Sequence, residues 1–142
     1  MRFKFIYIFF LFLLSSFVKS QTTEKILIIG NGTGITEMTL KDARDVFKGK
    51  KTFWKNKEQV IVVLPASKSK NADLIATEIF QTTVSGMQKY WLALVFQGRA
   101  NPPVFVQNTR EAVDYVSKNP GAIAVVYCKE SDLSSSTIIK LK

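Results

Sequence analysis

Three continuous apolar runs, separated by segments of helical periodicity, constrain the fold of this chain more than any other feature of its sequence. The runs cover residues 25–29, 59–64 and 122–127. Because their apolar residues are continuous rather than alternating, each run predicts a strand that is covered on both faces. Strands that alternate with helices predict an α/β fold with a mostly parallel sheet and helices on both faces.

Helical signals fill the segments between these runs. Thr39 predicts an N-cap, with Asp42 as its capping-box partner, for a first helix. Apolar stripes over residues 72–80 and 84–95 predict two consecutive helices. Asn108 predicts the cap of a fourth helix.

Two shorter segments complete the predicted sheet. Residues 104–106 predict a short strand, and residues 137–141 predict a final strand at the edge of the sheet. No repeat or interdomain linker interrupts the sequence. We therefore expect one domain, residues 21–142, which is long enough to bury a core.

The first 20 residues have the pattern of a secretory signal peptide. Arg2 and Lys4 form a basic start, residues 5–14 are apolar, and small or modest side chains precede the expected cleavage point. An uncleaved anchor is the alternative, although the apolar run is short for about 30 Å of hydrocarbon. The pattern predicts a mature protein in the periplasm or outside the cell, with no transmembrane segment after cleavage.

The predicted mature chain is positively charged. The whole sequence carries a formal net charge of +9, and removal of Arg2, Lys4 and Lys19 leaves 17 basic against 11 acidic residues. This balance favours an anionic ligand, an anionic surface or high solubility. Nucleic acid is not expected as a partner, because an exported chain without a binding motif is a poor candidate for that role.

Residues that support catalysis or metal binding are scarce. The sequence contains no histidine, which removes most transition-metal sites and the usual hydrolase triads. Cys128 is the single cysteine, so no internal disulfide is possible, and we expect it to be a small buried hydrophobe. No acid–base pair of carboxylates stands out. We therefore expect no enzymatic activity, no metal and no cofactor.

A glycine-rich loop follows the first predicted strand. Gly30, Gly32 and Gly34 approach the dinucleotide-binding fingerprint, but their spacing differs from G-x-G-x-x-G and the next helix begins only after Thr39. No acidic residue ends the second strand to hold a ribose. A turn that requires positive φ angles is therefore the favoured interpretation.

The polar loop after the second strand is a better candidate for a binding site. Ser67 and Ser69 offer hydroxyls, Lys68 and Lys70 offer charge, and the helix that follows offers unpaired amides, which together suit an oxyanion. In an open α/β sheet, ligands lie outside the carboxyl ends of the strands. The alternative is that Ser69 or Asn71 only caps the helix beside two solvated lysines.

The two loops meet only if the first two predicted strands are neighbours. Both loops would then open at the same edge of the sheet. On this hypothesis, the candidate oxyanion-binding residues are Gly32, Thr33, Ser67, Ser69, Lys70 and Asn71.

A basic turn follows the first predicted helix. It places Phe53 and Trp54 among five lysines, which are Lys48, Lys50, Lys51, Lys55 and Lys57. Such a pattern occurs in proteins that bind single-stranded nucleic acid. A solvated turn whose aromatic side chains pack inward is the favoured interpretation.

Three segments resemble one family when they are taken in order. Residues 39–50 form a helix that ends Phe-x-Gly-Lys before Trp54, residues 90–103 contain Trp, Phe-x-Gly and Pro, and residues 119–127 read Asn-Pro-Gly-Ala-Ile-Ala-Val-Val-Tyr. In order and spacing, across about residues 25–130, these segments resemble the periplasmic phosphate-binding proteins of ABC importers.

The resemblance implies a type II periplasmic-binding fold, of which this chain has the length of one lobe. It also implies capture of phosphate or a similar small anion, with an importer or another envelope protein as a partner. In the family, a Ser-Gly-Thr-Arg loop grips the anion, and the matching residues here are Ser67, Lys68, Ser69 and Lys70. The hydroxyls are retained, whereas the bidentate arginine fork is replaced by a lysine.

The expected function is that of an exported solute-binding-like protein for phosphate or a similar oxyanion. The alternative is an envelope protein–protein interaction module that kept the fold without the ligand. In that case Phe53, Trp54, Pro102 and Pro103 are the suspected contact surface.

Overall fold

The computed structural model describes residues 23–134 and 137–142, so the predicted signal peptide lies outside the described residues. The described residues form a six-stranded sheet and four α-helices. The strands are β1 (Lys25–Gly30), β2 (Glu37–Met38), β3 (Ile61–Pro65), β4 (Val104–Val106), β5 (Ala122–Cys128) and β6 (Ile138–Leu141). The helices are α1 (Leu40–Phe47), α2 (Ala72–Ile75, continued by a π-helical segment Ala76–Phe80), α3 (Val84–Phe96) and α4 (Thr109–Lys118).

The sheet is mostly parallel, as predicted, in the order β2-β6-β1-β5-β3-β4. Strand β1 pairs antiparallel with both β5 and β6, while the other pairings are parallel. Five strands therefore run in one direction and β1 runs in the other. Two expectations were wrong: β5 separates β1 from β3, and β6 is not an edge strand because β2 pairs along its outer side.

Helices cover both faces of the sheet, which explains the continuous apolar runs. One face packs against α1, α2 and α3, and its strand residues include Ile28, Val62, Leu64, Ile123 and Val125. The other face packs against α4, and its strand residues include Leu27, Ile29, Val63, Ala124 and Val126. Since adjacent residues of each strand point to opposite faces, both sets must be apolar.

The predicted helix caps are present. The Thr39 hydroxyl accepts the amide of Asp42 at 3.0 Å, and the Asp42 carboxylate accepts the amide of Thr39 at 3.4 Å. The side-chain oxygen of Asn108 accepts the amide of Glu111 at 2.9 Å. These local hydrogen bonds fix where α1 and α4 begin.

The basic turn has one buried and one exposed aromatic side chain. Trp54 is 3% exposed and packs in the core beside α1 and α3, as predicted. Phe53 is 58% exposed, so the expectation that it packs inward was wrong. Trp54 is therefore unavailable as part of a contact surface.

Candidate functional site

One cleft lies at the carboxyl ends of β3, β4 and β5 and is lined by apolar strand residues together with polar loop and helix-start residues; we call it the polar cleft. Its volume is about 370 Å³, and Pro65, Val106 and Tyr127 contribute the strand ends that line it. Because these three strands are parallel neighbours, their carboxyl ends meet at one edge of the sheet. This is the position at which open α/β sheets bind ligands.

The loop between β3 and α2 forms one wall of the cleft through Ser69, Lys70 and Asn71. The Ser69 amide donates to the Ala66 carbonyl at 2.9 Å, which folds the loop back on the end of β3. The Asn71 side-chain amide donates to the Tyr127 carbonyl at 3.4 Å and ties the loop to β5. The wall is thus held by one hydrogen bond within the loop and one to β5.

The start of α4 forms the opposite wall through Asn108, Thr109 and Arg110. Thr109 and Arg110 occupy the first two helical positions, whose amides have no acceptor within the helix. The nearest acid on this helix is Glu111, whose carboxylate accepts the Gln107 amide at 2.7 Å. The Glu111 carboxylate is therefore bound at the start of α4 and is not among the residues that line the cleft.

The charge of the cleft is positive. Lys70 and Arg110 line it, and no aspartate or glutamate is among its lining residues. Neither cation forms an ion pair with another described residue. Both side chains are exposed to solvent, so each contact with an anion is worth about 0–1 kcal/mol.

The structure brings only some of the predicted site residues together. Ser69, Lys70 and Asn71 line the cleft, whereas Ser67 is exposed and does not line it. Asn71 stands at the N-cap position of α2, but its side chain makes no capping hydrogen bond. The alternative was wrong in giving the Asn71 side chain a capping hydrogen bond, whereas Lys68 and Lys70 are exposed to solvent, as that alternative expected.

Gly32 and Thr33 lie at the opposite edge of the sheet. Gly30 pairs with Ile123 near the start of β5, and the Gly121 amide donates to the Asn31 carbonyl at 2.8 Å. Because β1 runs antiparallel to β5, its carboxyl end meets the amino ends of β3 and β5. The expectation that the two loops converge was wrong for this reason.

The glycine loop is a structural turn. Gly32 has a φ of +61° and Gly34 a φ of +70°, as the favoured interpretation required. Thr33 is 5% exposed, and its hydroxyl donates to the Ile35 carbonyl at 3.3 Å. The Thr33 side chain is thus engaged within the loop itself.

Sequence reasoning missed Thr109 and Arg110 as cleft residues. The loop that matches the family's arginine position carries Lys70, and the guanidinium at this cleft comes from α4 instead. The available signal was the Asn108 cap after a short strand, which marks a helix start beside a strand end. Using that signal required knowing that β4 lies next to β3.

A second concave surface lies between α3 and the segment that leads into β4. This groove has a volume of about 490 Å³ and is mainly apolar. Its apolar lining consists of Trp91, Leu92, Val95, Pro102, Pro103 and Phe105. It shares no residue with the polar cleft.

Two further features bear on the class of site. None of the helices within residues 23–134 combines the length and the hydrophobicity needed to cross a bilayer. Over the part of the chain that the structure describes, no cluster of acidic and cysteine side chains is arranged to hold a metal ion.

Comparisons with known proteins identify the fold. No protein-family model matches the sequence, and no curated protein matches it. An ABC-type phosphate transport receptor from Vibrio cholerae matches with a TM-score of 0.62 and 15% identity, over 83% of this chain and 46% of that chain. A putative phosphate ABC transporter substrate-binding protein with bound phosphate, from Clostridium perfringens, matches with a TM-score of 0.62 and 18% identity, over 83% and 45% of the two chains.

PstS from Borrelia burgdorferi gives a similar match, with a TM-score of 0.61 and 15% identity over 84% of this chain and 47% of that chain. The chain thus spans less than half the length of each of these three structures. This chain therefore has the fold of one part, slightly under half, of a phosphate ABC transporter substrate-binding protein.

Proposed function

We propose that this chain is an exported, non-enzymatic solute-binding domain that holds phosphate or a similar small oxyanion in the cleft between the β3–α2 loop and the start of α4. The observation that carries the proposal is the composition of that cleft. Hydroxyl, amide and cationic groups converge there from two elements, and no acidic side chain lines it.

The polar groups suit an oxyanion in number and kind. Ser69 and Thr109 carry hydroxyl donors, and the Asn71 side-chain amide has a second N–H besides the one that it donates to Tyr127. Arg110 carries a planar fork of donors that matches two oxygens of one anion. Lys70 adds a second positive charge to the cleft.

Because the cleft is open to solvent, we expect its affinity for an anion to be weak. Lys70 and Arg110 are solvent-exposed, so an anion between them stays partly hydrated. A partner chain that covers the cleft would remove that water and strengthen each contact. We infer that this partner is an importer or another envelope protein. Its location in the periplasm or outside the cell follows from the predicted signal peptide.

The structural comparisons support the class of ligand and of function. The neighbours are named as phosphate transport or phosphate-binding proteins, and one is described with bound phosphate. They are transport proteins rather than enzymes by those names.

Thermal unfolding in different anions tests the proposal. Phosphate and sulfate should raise the melting temperature above that in chloride at equal ionic strength, because a ligand at 100 times its Kd adds about 2.7 kcal/mol of stability. Lys70→Gln and Arg110→Gln should each reduce this increment. Lys68→Gln is the matched control, because Lys68 precedes the cleft residues but does not line the cleft.

Two outcomes contradict the proposal. One is an equal melting temperature in all three anions at millimolar concentration. The other is a loss of the increment in Lys68→Gln that is as large as the loss in Lys70→Gln, since that result would indicate a general charge effect.

A further inference from the structure

The outer surface of α3 exposes large apolar side chains. Leu92 is 58% exposed and Phe96 is 83% exposed, and they lie four residues apart on the same side of the helix. Phe105 on β4 is 43% exposed and lines the groove beside Leu92. We call Leu92, Phe96 and Phe105, together with the exposed Pro102, the α3 surface.

The apolar character of this surface is not needed for the fold. The inner side of α3 already buries Met87, Trp91 and Leu94 in the core. Leu92 and Phe96 therefore add apolar area that faces solvent and contributes little to folding. Exposed large apolar side chains that are grouped in this way are typical of interaction sites.

The charge of the α3 surface restricts what it can bind. Between residues 84 and 107 the sequence has two charged side chains, Lys89 and Arg99, and no acidic residue. Lys89 lines the groove, and neither cation forms an ion pair with a described residue. The surface therefore complements an occupant that is apolar in part and negatively charged at its margin.

A second copy of this chain is a poor occupant of the α3 surface, because it would bring the same two cations to the contact.

A peptide that extends the sheet at β4 is also disfavoured. Ala66 donates to the Val106 carbonyl at 2.8 Å, so the backbone groups of Phe105 point away from β3. Beside them, Pro103 has no N–H and the Gln107 amide is held by Glu111 at 2.7 Å, which protects this edge from pairing.

We propose that the α3 surface binds the surface of an anionic phospholipid bilayer. A bilayer requires no backbone pairing, accepts protruding phenyl and leucyl groups at the boundary of headgroups and acyl chains, and attracts nearby lysine and arginine side chains. The polar cleft shares no residue with this surface, so anion binding there and bilayer binding here are separable.

Sedimentation with lipid vesicles tests this proposal on the predicted mature protein, residues 21–142, which contains the whole described core. The protein should sediment with vesicles of mixed phosphatidylglycerol and phosphatidylcholine, and much less with vesicles of phosphatidylcholine alone. Lys89→Gln and Arg99→Gln should each weaken binding about fivefold at low salt. Phe96→Ser should weaken it about tenfold.

Two variants serve as controls. Leu141→Ser removes an apolar side chain that is 38% exposed but lies on β6, outside the α3 surface, and it should leave vesicle binding unchanged. The double variant Lys70→Gln/Arg110→Gln should also bind vesicles normally, because its changes lie in the cleft. Melting curves establish that Phe96→Ser is folded, which its high exposure favours.

Several outcomes overturn the proposal: no sedimentation with anionic vesicles, equal sedimentation with both kinds of vesicle, or full binding by Phe96→Ser. Loss of binding in the cleft variant would assign the effect to headgroup phosphates at the cleft instead. A concentration-dependent dimer in ultracentrifugation that Phe96→Ser dissolves would assign the surface to a second protein chain.

Discussion

The indole N–H of Trp54 donates to the carbonyl oxygen of Gly121 at 2.9 Å, and this hydrogen bond joins the turn after α1 to the start of β5. The same carbonyl accepts the amide of Ile61 at 3.1 Å, at the first residue of β3. One carbonyl therefore links three segments at the edge of the sheet opposite the polar cleft.

A comparison of the two tryptophans measures how much the hydrogen bond of Trp54 contributes to the free energy of unfolding. Trp54→Phe should cost about 1–3 kcal/mol of stability, because it removes the bond and leaves some space in the core. Trp91→Phe should cost less, since the buried Trp91 indole N–H has no hydrogen-bond partner among the described residues and its removal relieves a desolvated donor. Urea unfolding measures both, and a larger loss for Trp91→Phe contradicts this assignment.

Gly121 should be intolerant of any side chain. Its φ is +85°, and an added Cβ would lie 2.1 Å from the Gln59 carbonyl oxygen, which belongs to the backbone. Gly121→Ala should therefore destabilise the protein by about 3 kcal/mol or more.

Gly98→Ala is the matched control, because Gly98 also has a positive φ, +65°, but nothing lies within 4 Å of the added Cβ. It should cost about 1–2 kcal/mol, the strain of the left-handed conformation alone. Equal losses in the two alanine variants, measured by denaturant unfolding, would show that the contact with Gln59 does not limit this position.

Asp45 should make stability depend on pH in the acid range. Its carboxylate lies 2.6 Å from the Lys50 ammonium and 3.1 Å from that of Lys41, and these hydrogen bonds lower the pKa of Asp45. Because the pKa of Asp45 is lower in the folded than in the unfolded state, its ionised carboxylate stabilises the fold at pH values above the unfolded-state pKa. This stabilisation is lost as the pH falls through the folded-state pKa.

Asp45→Asn should therefore be less stable than the natural protein near neutral pH, and the difference should shrink as the pH falls toward about 2. Lys50→Gln should give a weaker form of the same pattern, because Lys41 still pairs with Asp45. Unfolding free energies measured across this pH range check the prediction. A difference that stays constant with pH would exclude the carboxylate as its source.

Cys128 should report on unfolding. The side chain is 7% exposed at the end of β5, and burial raises the pKa of its thiol. The thiolate is the reactive form, so alkylation by iodoacetamide near neutral pH should be slow in the folded protein and fast in urea. Mass spectrometry of the labelled chain measures both rates, and equal rates would show that Cys128 is accessible in the folded state.

Much of the fold was predictable because its signals are local. The capping box of Thr39 and Asp42, the Asn108 cap and the continuous apolar run of β5 each depend on neighbouring residues, and each prediction is confirmed. The two residues of β2 are too few to carry a periodic signal, and β2 was not predicted.

The order and direction of the strands were not predictable from the same signals. β1 and β5 are far apart in sequence, and an apolar run does not specify whether its neighbour runs parallel or antiparallel. The reversed direction of β1 removes Gly32 and Thr33 from the cleft, and the position of β4 brings Arg110 into it. Sequence reasoning therefore predicted one wall of the candidate site, the loop that carries Ser69 and Lys70, and missed the other wall at the start of α4.

A phosphate titration followed by backbone amide NMR tests the central claim most directly, because it reports the position of the anion. We expect chemical shift changes that saturate with phosphate at residues 69–71 and 109–110, with little change at residues 31–34, and smaller effects from chloride at equal ionic strength. Changes centred on residues 31–34, or none that saturate at residues 69–71 and 109–110, would contradict anion binding at the carboxyl edge of the sheet.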